Sequence, residues 1–181
     1  TWLTPEKSEY DKTSVLVNGI KKAASPLRVG ISWFSSSKNL GGKNIDLVSL
    51  SKILCTLPCP CTLINLQYDS KLEDIKQIET ITGVTIQRAS ADNKNNITEL
   101  TEVIKGLDLV ISISNTTVHI SGLLGVPTIM LASKYNGRLW YWEQVDDDSW
   151  SRWYASVKLI TQQHEGDWSS VVDTFKEIFD A

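Results

Sequence analysis

Ser114-Asn115-Thr116-Thr117, with His119 two residues further on, is the densest group of chemistry-bearing side chains in the sequence. It follows Asp108-Leu-Val-Ile-Ser-Ile113, an apolar β-branched run, and leads through Gly122, Gly125 and Pro127 into a second apolar run, Thr128 to Leu131. That order predicts a buried parallel strand, a polar turn, a short helix, a Gly turn and another buried strand. Asn and Thr are good helix N-caps, and the first amides of a helix lack internal partners. A helix N-terminus at the carboxyl end of a parallel strand attracts anions. His119, about one turn into that helix, can point at the same anion. The chemistry implied is capture of a phosphate or diphosphate, hence of a nucleotide-linked ligand. Each residue has a plainer alternative: Asn115 and the threonines as a helix cap only, His119 as a hydrogen-bonded core histidine.

The elements that must position these residues can be read on both sides of them. Helical periodicity or capping predicts helices over 11–24, 45–57 (with Asp46 as cap), 72–82 (closed by Gly83), 97–105 (closed by Gly106) and 168–179. Apolar runs between turn signals predict strands over 27–34, 61–67, 84–87, 109–113, 128–131 and 157–160. Strands alternating with helices give an α/β class, a Rossmann-like doubly wound parallel sheet. Ligands of such sheets bind beyond the carboxyl ends of the strands. Three polar loops belong there: Ser35–Lys43, Gln67–Ser70 and Ser114–Thr117. No Gly-x-Gly-x-x-Gly or Walker lysine motif occurs, so a conventional dinucleotide or P-loop site is not indicated. The expected division is a linker segment with its leading helix over 1–26 and a Rossmann-like domain for the nucleotide-linked ligand over 27–181.

Composition narrows the function classes. The 181 residues suffice for one domain with a sizeable core. Eighteen basic and 21 acidic residues give a net charge of −3, with no basic footprint for nucleic acid. No apolar run reaches transmembrane length, and no signal peptide is visible. The chain starts at Thr1, which is expected of a processed product or a part of a longer protein. Cys55, Cys59 and Cys61 lack the spacing and histidine partners of a zinc site, so no metal is expected. Free thiols favour a reducing, cytoplasmic compartment. Trp140, Trp142, Trp150 and Trp153, with Tyr141 and Tyr154, form an aromatic segment around Asp146-Asp147-Asp148. Its plain reading is a loop covering the sheet edge; its functional reading is a ring stacked on a base or sugar. The acidic triplet is expected to be a solvated loop.

Leu109-Val-Ile-Ser-Ile-Ser-Asn-Thr-Thr-Val-His-Ile-Ser-Gly-Leu-Leu-Gly-Val-Pro-Thr128 resembles the signature of the heptosyltransferase-like (glycosyltransferase family 9) enzymes and of the related bacterial tetratricopeptide-repeat glycosyltransferases. Val29-Gly-Ile-Ser-Trp33, Ile64-Asn-Leu-Gln-Tyr68, Leu139-Trp-Tyr-Trp142, Asp148-Ser149, Trp153-Tyr154 and Gly166-Asp167-Trp168 follow in the same order. Ser114-Asn115 stands where many heptosyltransferases carry Asp-Thr, which brings the chain closer to the repeat-containing group and away from heptose as the sugar. The resemblance covers roughly 27–179. It implies the C-terminal, donor-binding half of a GT-B fold, with the N-terminal domain, and possible tetratricopeptide repeats, elsewhere in the same protein. It further implies a nucleotide-sugar held by Ser114, Asn115, Thr116, Thr117 and His119 at the diphosphate. Ser35 and Ser36 lie in the loop approaching the donor, and Gln67 near the base or ribose. Lys43 and His119 would stabilise the leaving group. The catalytic carboxylate would lie in the other domain, and no cofactor or metal would be needed. Two other readings stand beside this one: a sugar-nucleotide epimerase-like half domain, and a non-catalytic interaction domain of the same fold.

Overall fold

A computed structural model describes residues 9–22, 26–36, 41–57, 60–89, 91–92, 94–142 and 149–180. Six strands run parallel: β1 (Leu27–Ser32), β2 (Cys61–Asn65), β3 (Ile86–Arg88), β4 (Leu109–Ile113), β5 (Thr128–Ala132) and β6 (Val157–Thr161). Their order is β3-β2-β1-β4-β5-β6. This is a Rossmann-like doubly wound sheet. The chain winds outward from β1 in one direction, then returns to β4 and winds the other way, so a crevice opens between the carboxyl ends of β1 and β4.

The helices are α1 (Glu9–Lys22), α2 (Leu47–Leu54), α3 (Leu72–Thr82), α4 (Ile97–Lys105), α5 (Thr116–Leu123) and α6 (Ser169–Asp180), with single 3-10 turns at Gly41–Lys43 and Trp140–Trp142. One face of the sheet, through Val29, Ile31, Leu63, Leu109, Ile111 and Leu131, packs against α1, α2, α3 and α6. The other face, through Ile64, Val110 and Met130, meets α4, α5 and the turn at Trp142. Strands covered on both faces are near-continuous apolar runs, and β4 and β5 are buried at every position, with Ser112 and Thr128 hydrogen-bonded inside. No helix among the described residues is long and apolar enough to cross a membrane.

Several element ends differ from the sequence reading, each for a hydrogen-bonding reason. β1 stops at Ser32 rather than residue 34 because the amides of Trp33 and Phe34 turn aside to Gln67 Oε1, at 2.9 and 2.8 Å. β3 starts at Ile86 rather than residue 84. Gly83 leaves α3 in the left-handed region (φ 68°), and Val84 N–H donates back to Thr82 Oγ1, so the chain is still leaving the helix there. Asp46 caps α2 as expected, accepting from Ser49 N at 2.8 Å. Gly125, with φ 70°, ends the turn after α5.

Candidate functional site

Asn115 organises the crevice. Its Oδ1 accepts from the Thr117 amide at 3.0 Å and from Ser112 Oγ at 3.1 Å, while its Nδ2 donates to Ser32 Oγ at 2.8 Å. One side chain thus caps α5 and ties the ends of β4 and β1 together across the switch point. Ser32 Oγ passes the chain on, donating to Gln67 Oε1 at 3.0 Å. Gln67 Oε1 therefore takes three bonds from the β1 end, and its Nε2 donates to the Tyr68 carbonyl at 2.8 Å. These are interior groups, and buried polar groups need such partners. The Gln67 carboxamide sets the path of the loop after β1; it is engaged with the protein rather than presented to solvent.

That loop is held from two sides. Ser35 N–H donates to Asn44 Oδ1 at 2.9 Å, and Ser36 N–H to the Tyr68 phenol oxygen at 2.8 Å. Burial alone would raise the Tyr68 phenol. Hydrogen bonds from the Ser36 hydroxyl and amide and from Ser35, with the charge of Lys43, outweigh burial and hold it below its ordinary value. Residues 37–40, the middle of the loop, lie outside the described residues.

Lys43 ends the 3-10 turn that follows. A Cβ on Gly42 would sit 2.6 Å from Asn136 Cβ and 2.9 Å from its carbonyl oxygen, so this turn is pressed against the loop after β5. Lys43 is also coupled in charge to Tyr68, in the loop after β2. Because β1 and β4 lie between those two strands, the turn straddles the crevice. The lysine is 5% exposed. Desolvation pushes its pKa down, with only Tyr68 opposing. Among the described residues no carboxylate pairs with it.

Ser114 and Thr117 are buried and Thr116 is exposed at the first turn of α5. Ser114 Oγ after β4, Ser133 Oγ after β5 and Gln162 Nε2 after β6 are buried without a hydrogen-bond partner among the described residues. His119 does not stand alone in the first turn. Its Nδ1 lies 3.0 Å from the Tyr154 hydroxyl, and its ring is packed among Tyr141, Trp142 and Tyr154 at centroid distances of 5.6, 5.1 and 5.8 Å. Burial lowers its pKa. Beyond β2 and β3 a cavity of about 390 Å³ opens, lined by Gln67, Tyr68, Ser70, Arg88 and Lys94. Asp69, at its rim, has φ 50° and pairs with Lys94 at 2.6 Å.

Ser35, Ser36, Lys43, Gln67, Ser114, Asn115, Thr116 and Thr117 lie in the loops and turns that leave the carboxyl ends of β1, β2 and β4, and His119 lies one turn into α5, among Tyr141, Trp142 and Tyr154. Sequence reasoning passed over Ser32, Asn44 and Tyr68 as site residues and named Tyr154 only within the aromatic segment, yet the partners of all four are these same residues. Ser32 carried a signal, as a polar residue ending a β-branched strand; Tyr154 carried none beyond its place in an aromatic segment. In that segment Trp142 and Trp150 are buried, whereas Trp140 and Trp153 are 72% and 62% exposed. Asp146–Asp148 lies outside the described residues, as does Cys59; Cys55 is exposed and Cys61 half-buried. No group of three or more His, Cys, Asp or Glu that could hold a metal ion occurs among the described residues.

Comparisons with known proteins give the fold its company. No protein-family model matches the chain. Protein FlbA of Caulobacter vibrioides is 29% identical over 106 residues, 58% of this chain and 17% of FlbA. The ADP-heptose lipopolysaccharide heptosyltransferase II of Escherichia coli superposes with a TM-score of 0.58 at 8% identity, covering 99% of this chain and 54% of that one. The trehalose-6-phosphate phosphatase N-terminal domain of Candida albicans reaches a TM-score of 0.49 at 14% identity, covering 99% of this chain and 39% of that one, too slight a likeness to bear on the fold. The domain therefore has a glycosyltransferase-like fold. It spans about half the length of the heptosyltransferase and under a fifth of FlbA.

Proposed function

We propose that this chain is the nucleotide-sugar-binding domain of a GT-B glycosyltransferase, the donor's diphosphate lying across the crevice between β1 and β4. The observation that carries the reading is Lys43, a buried ammonium with no carboxylate partner among the described residues, on the turn that straddles the crevice. A desolvated cation is costly unless something neutralises it. A diphosphate would do so, and the N-terminus of α5, capped by Asn115, adds its dipole from the other side. The cavity beyond β2 and β3, beside Gln67 and Tyr68, is of a size for the nucleoside.

In this reading the bond from the anomeric carbon to the diphosphate oxygen breaks, and negative charge collects on the departing nucleoside diphosphate. Lys43, the dipole of α5 and His119 stabilise that charge as it develops, so no metal is required. The ADP-heptose heptosyltransferase II is similar in fold, and direct binding measurements identify the base. Calorimetry with UDP, GDP and ADP is expected to show binding of one of them. Lys43→Met should weaken that binding about thirtyfold or more, the usual consequence of removing one member of a desolvated charge pair. A folded sample that binds none of the three would overturn the reading.

A further inference from the structure

We infer that Tyr154 is a positioning residue that fixes the tautomer of His119, so that the imidazole is neutral and carries its proton on Nε2. This rests on the donor-site reading for the identity of the anion, and on geometry for the rest. Tyr154 Oη and His119 Nδ1 are 3.0 Å apart. A phenol is a strong donor and a weak acceptor, because its oxygen lone pair is drawn into the ring, whereas an imidazole nitrogen without a proton is a strong acceptor. The bond therefore runs from Tyr154 O–H to Nδ1, and the remaining nitrogen, Nε2, keeps the proton.

Three features lock this arrangement. Tyr154 packs directly on α5, since a Cβ on Gly122 would lie 2.5 Å from its Cγ; the absence of a side chain at 122 is what admits the ring. Tyr141 and Trp142 close around the imidazole and restrict its rotation. The titratable groups against His119 are Tyr141 and Tyr154, and no carboxylate bonds to it among the described residues, so nothing there favours the imidazolium.

His119 is the fourth residue of α5, and side chains lean toward the N-terminal turn of their helix. The imidazole thus stands over the turn that faces the crevice. With the proton on Nε2, every hydrogen of the chain Tyr154–His119 runs toward an anion held there, and each bond polarises the next. In the other tautomer an Nε2 lone pair would meet the phosphate oxygens and repel them. Tyr154 so decides whether His119 attracts or repels the charge of the leaving group, without touching it.

Nitrogen-15 spectra of the nucleotide-free protein, at about pH 8 where free imidazole is neutral, test the pairing directly. A pyrrole-like shift for His119 Nε2 and a pyridine-like shift for Nδ1 are expected. Tyr154→Phe keeps the ring and its packing and removes only the hydroxyl; the two shifts should move toward the averaged values of mixed tautomers. Affinity for the nucleoside diphosphate should fall about fivefold to tenfold, the weight of one hydrogen bond. In a His119→Gln background, whose amide supplies a donor near the Nε2 position whatever its neighbour does, Tyr154→Phe should cost no further affinity. A pyridine-like Nε2 in the wild type, unchanged shifts in Tyr154→Phe, or an equal further loss in the His119→Gln background would each overturn the inference. Wild-type protein with the expected shifts but no affinity for any nucleotide would instead overturn the donor-site reading and leave the tautomer assignment standing.

Discussion

Asn115 and Lys43 separate two things a crevice residue can do, and each can be tested without the other. Asn115→Ala removes the α5 cap and leaves Ser32 Oγ without its donor; a loss of about 2 kcal/mol in urea unfolding is expected, a cap plus part of a buried hydrogen bond. Asn115→Asp keeps the cap acceptor but sets a carboxylate where the diphosphate is proposed to lie. It gives up the Nδ2 bond to Ser32, so about 1 kcal/mol of stability should go, yet nucleotide binding should be abolished; equal affinity in Asn115→Asp would remove Asn115 from the anion site. For Lys43 the sign follows from burial, which lowers its folded pKa below 10.5. Between that lowered value and 10.5 the unfolded chain binds the proton that the folded one sheds, so stability rises with pH there and the desolvation penalty is fully present below. The difference between wild-type and Lys43→Met unfolding curves should therefore shrink as pH climbs toward 10.5, and a constant difference would mean that the ammonium is solvated. At this scale the sequence was half legible. Asn115 and His119 stood out by type and position, but Ser32 and Tyr154 act only through partners 83 and 35 residues away, which no local pattern reveals.

Among the elements, α5 and its neighbours show how one missing side chain decides packing. Gly122→Ala would put a Cβ 2.5 Å from Tyr154 Cγ and 2.8 Å from its Cβ, atoms near the backbone that cannot swing away. A cost of about 2 kcal/mol is expected from overpacking, with displacement of Tyr154 and a matching change in the His119 nitrogen shifts. Gly19, in the interior of α1 with nothing within 4 Å, is the contrast: Gly19→Ala should stabilise by roughly 0.5–1 kcal/mol through helix propensity. If both substitutions changed stability alike, close approach would not be the reason for Gly122. The elements themselves were largely legible. α3 and α4 fall at 72–82 and 97–105 as the apolar spacing predicts, and β4 at 109–113. Strand ends were the weaker part, because β1 is terminated by a glutamine from the loop after β2 rather than by any residue of its own.

For the whole molecule, the described residues build the crevice along a single edge of the sheet. Phe34, Ser36, Thr116 and Tyr135 stand exposed around it, and the order of the strands places Lys43, α5 and the loop after β5 on a single edge. Glycosyl transfer needs more than a stabilised leaving group. A base must take the acceptor's proton, and water must be kept from the anomeric carbon. Residues 33–36, 41–44, 114–117 and 133–136 contain no Asp or Glu, so these four segments bring no carboxylate to the crevice, and Asp69 in the loop after β2 is paired with Lys94. The fold relative, of which this chain covers 54%, is about twice its size. The 181 residues are therefore expected to bind a nucleoside diphosphate and still fail to turn over its sugar conjugate. The check is to incubate the chain with UDP-, GDP- and ADP-sugars and assay the free nucleoside diphosphate. No release above the buffer rate is expected, with calorimetric affinity intact in the same sample. Release at an enzymatic rate that Lys43→Met abolishes would mean that a base lies within this chain, and would move the search for it to the chain's own carboxylates, Asp69 in the loop after β2 first.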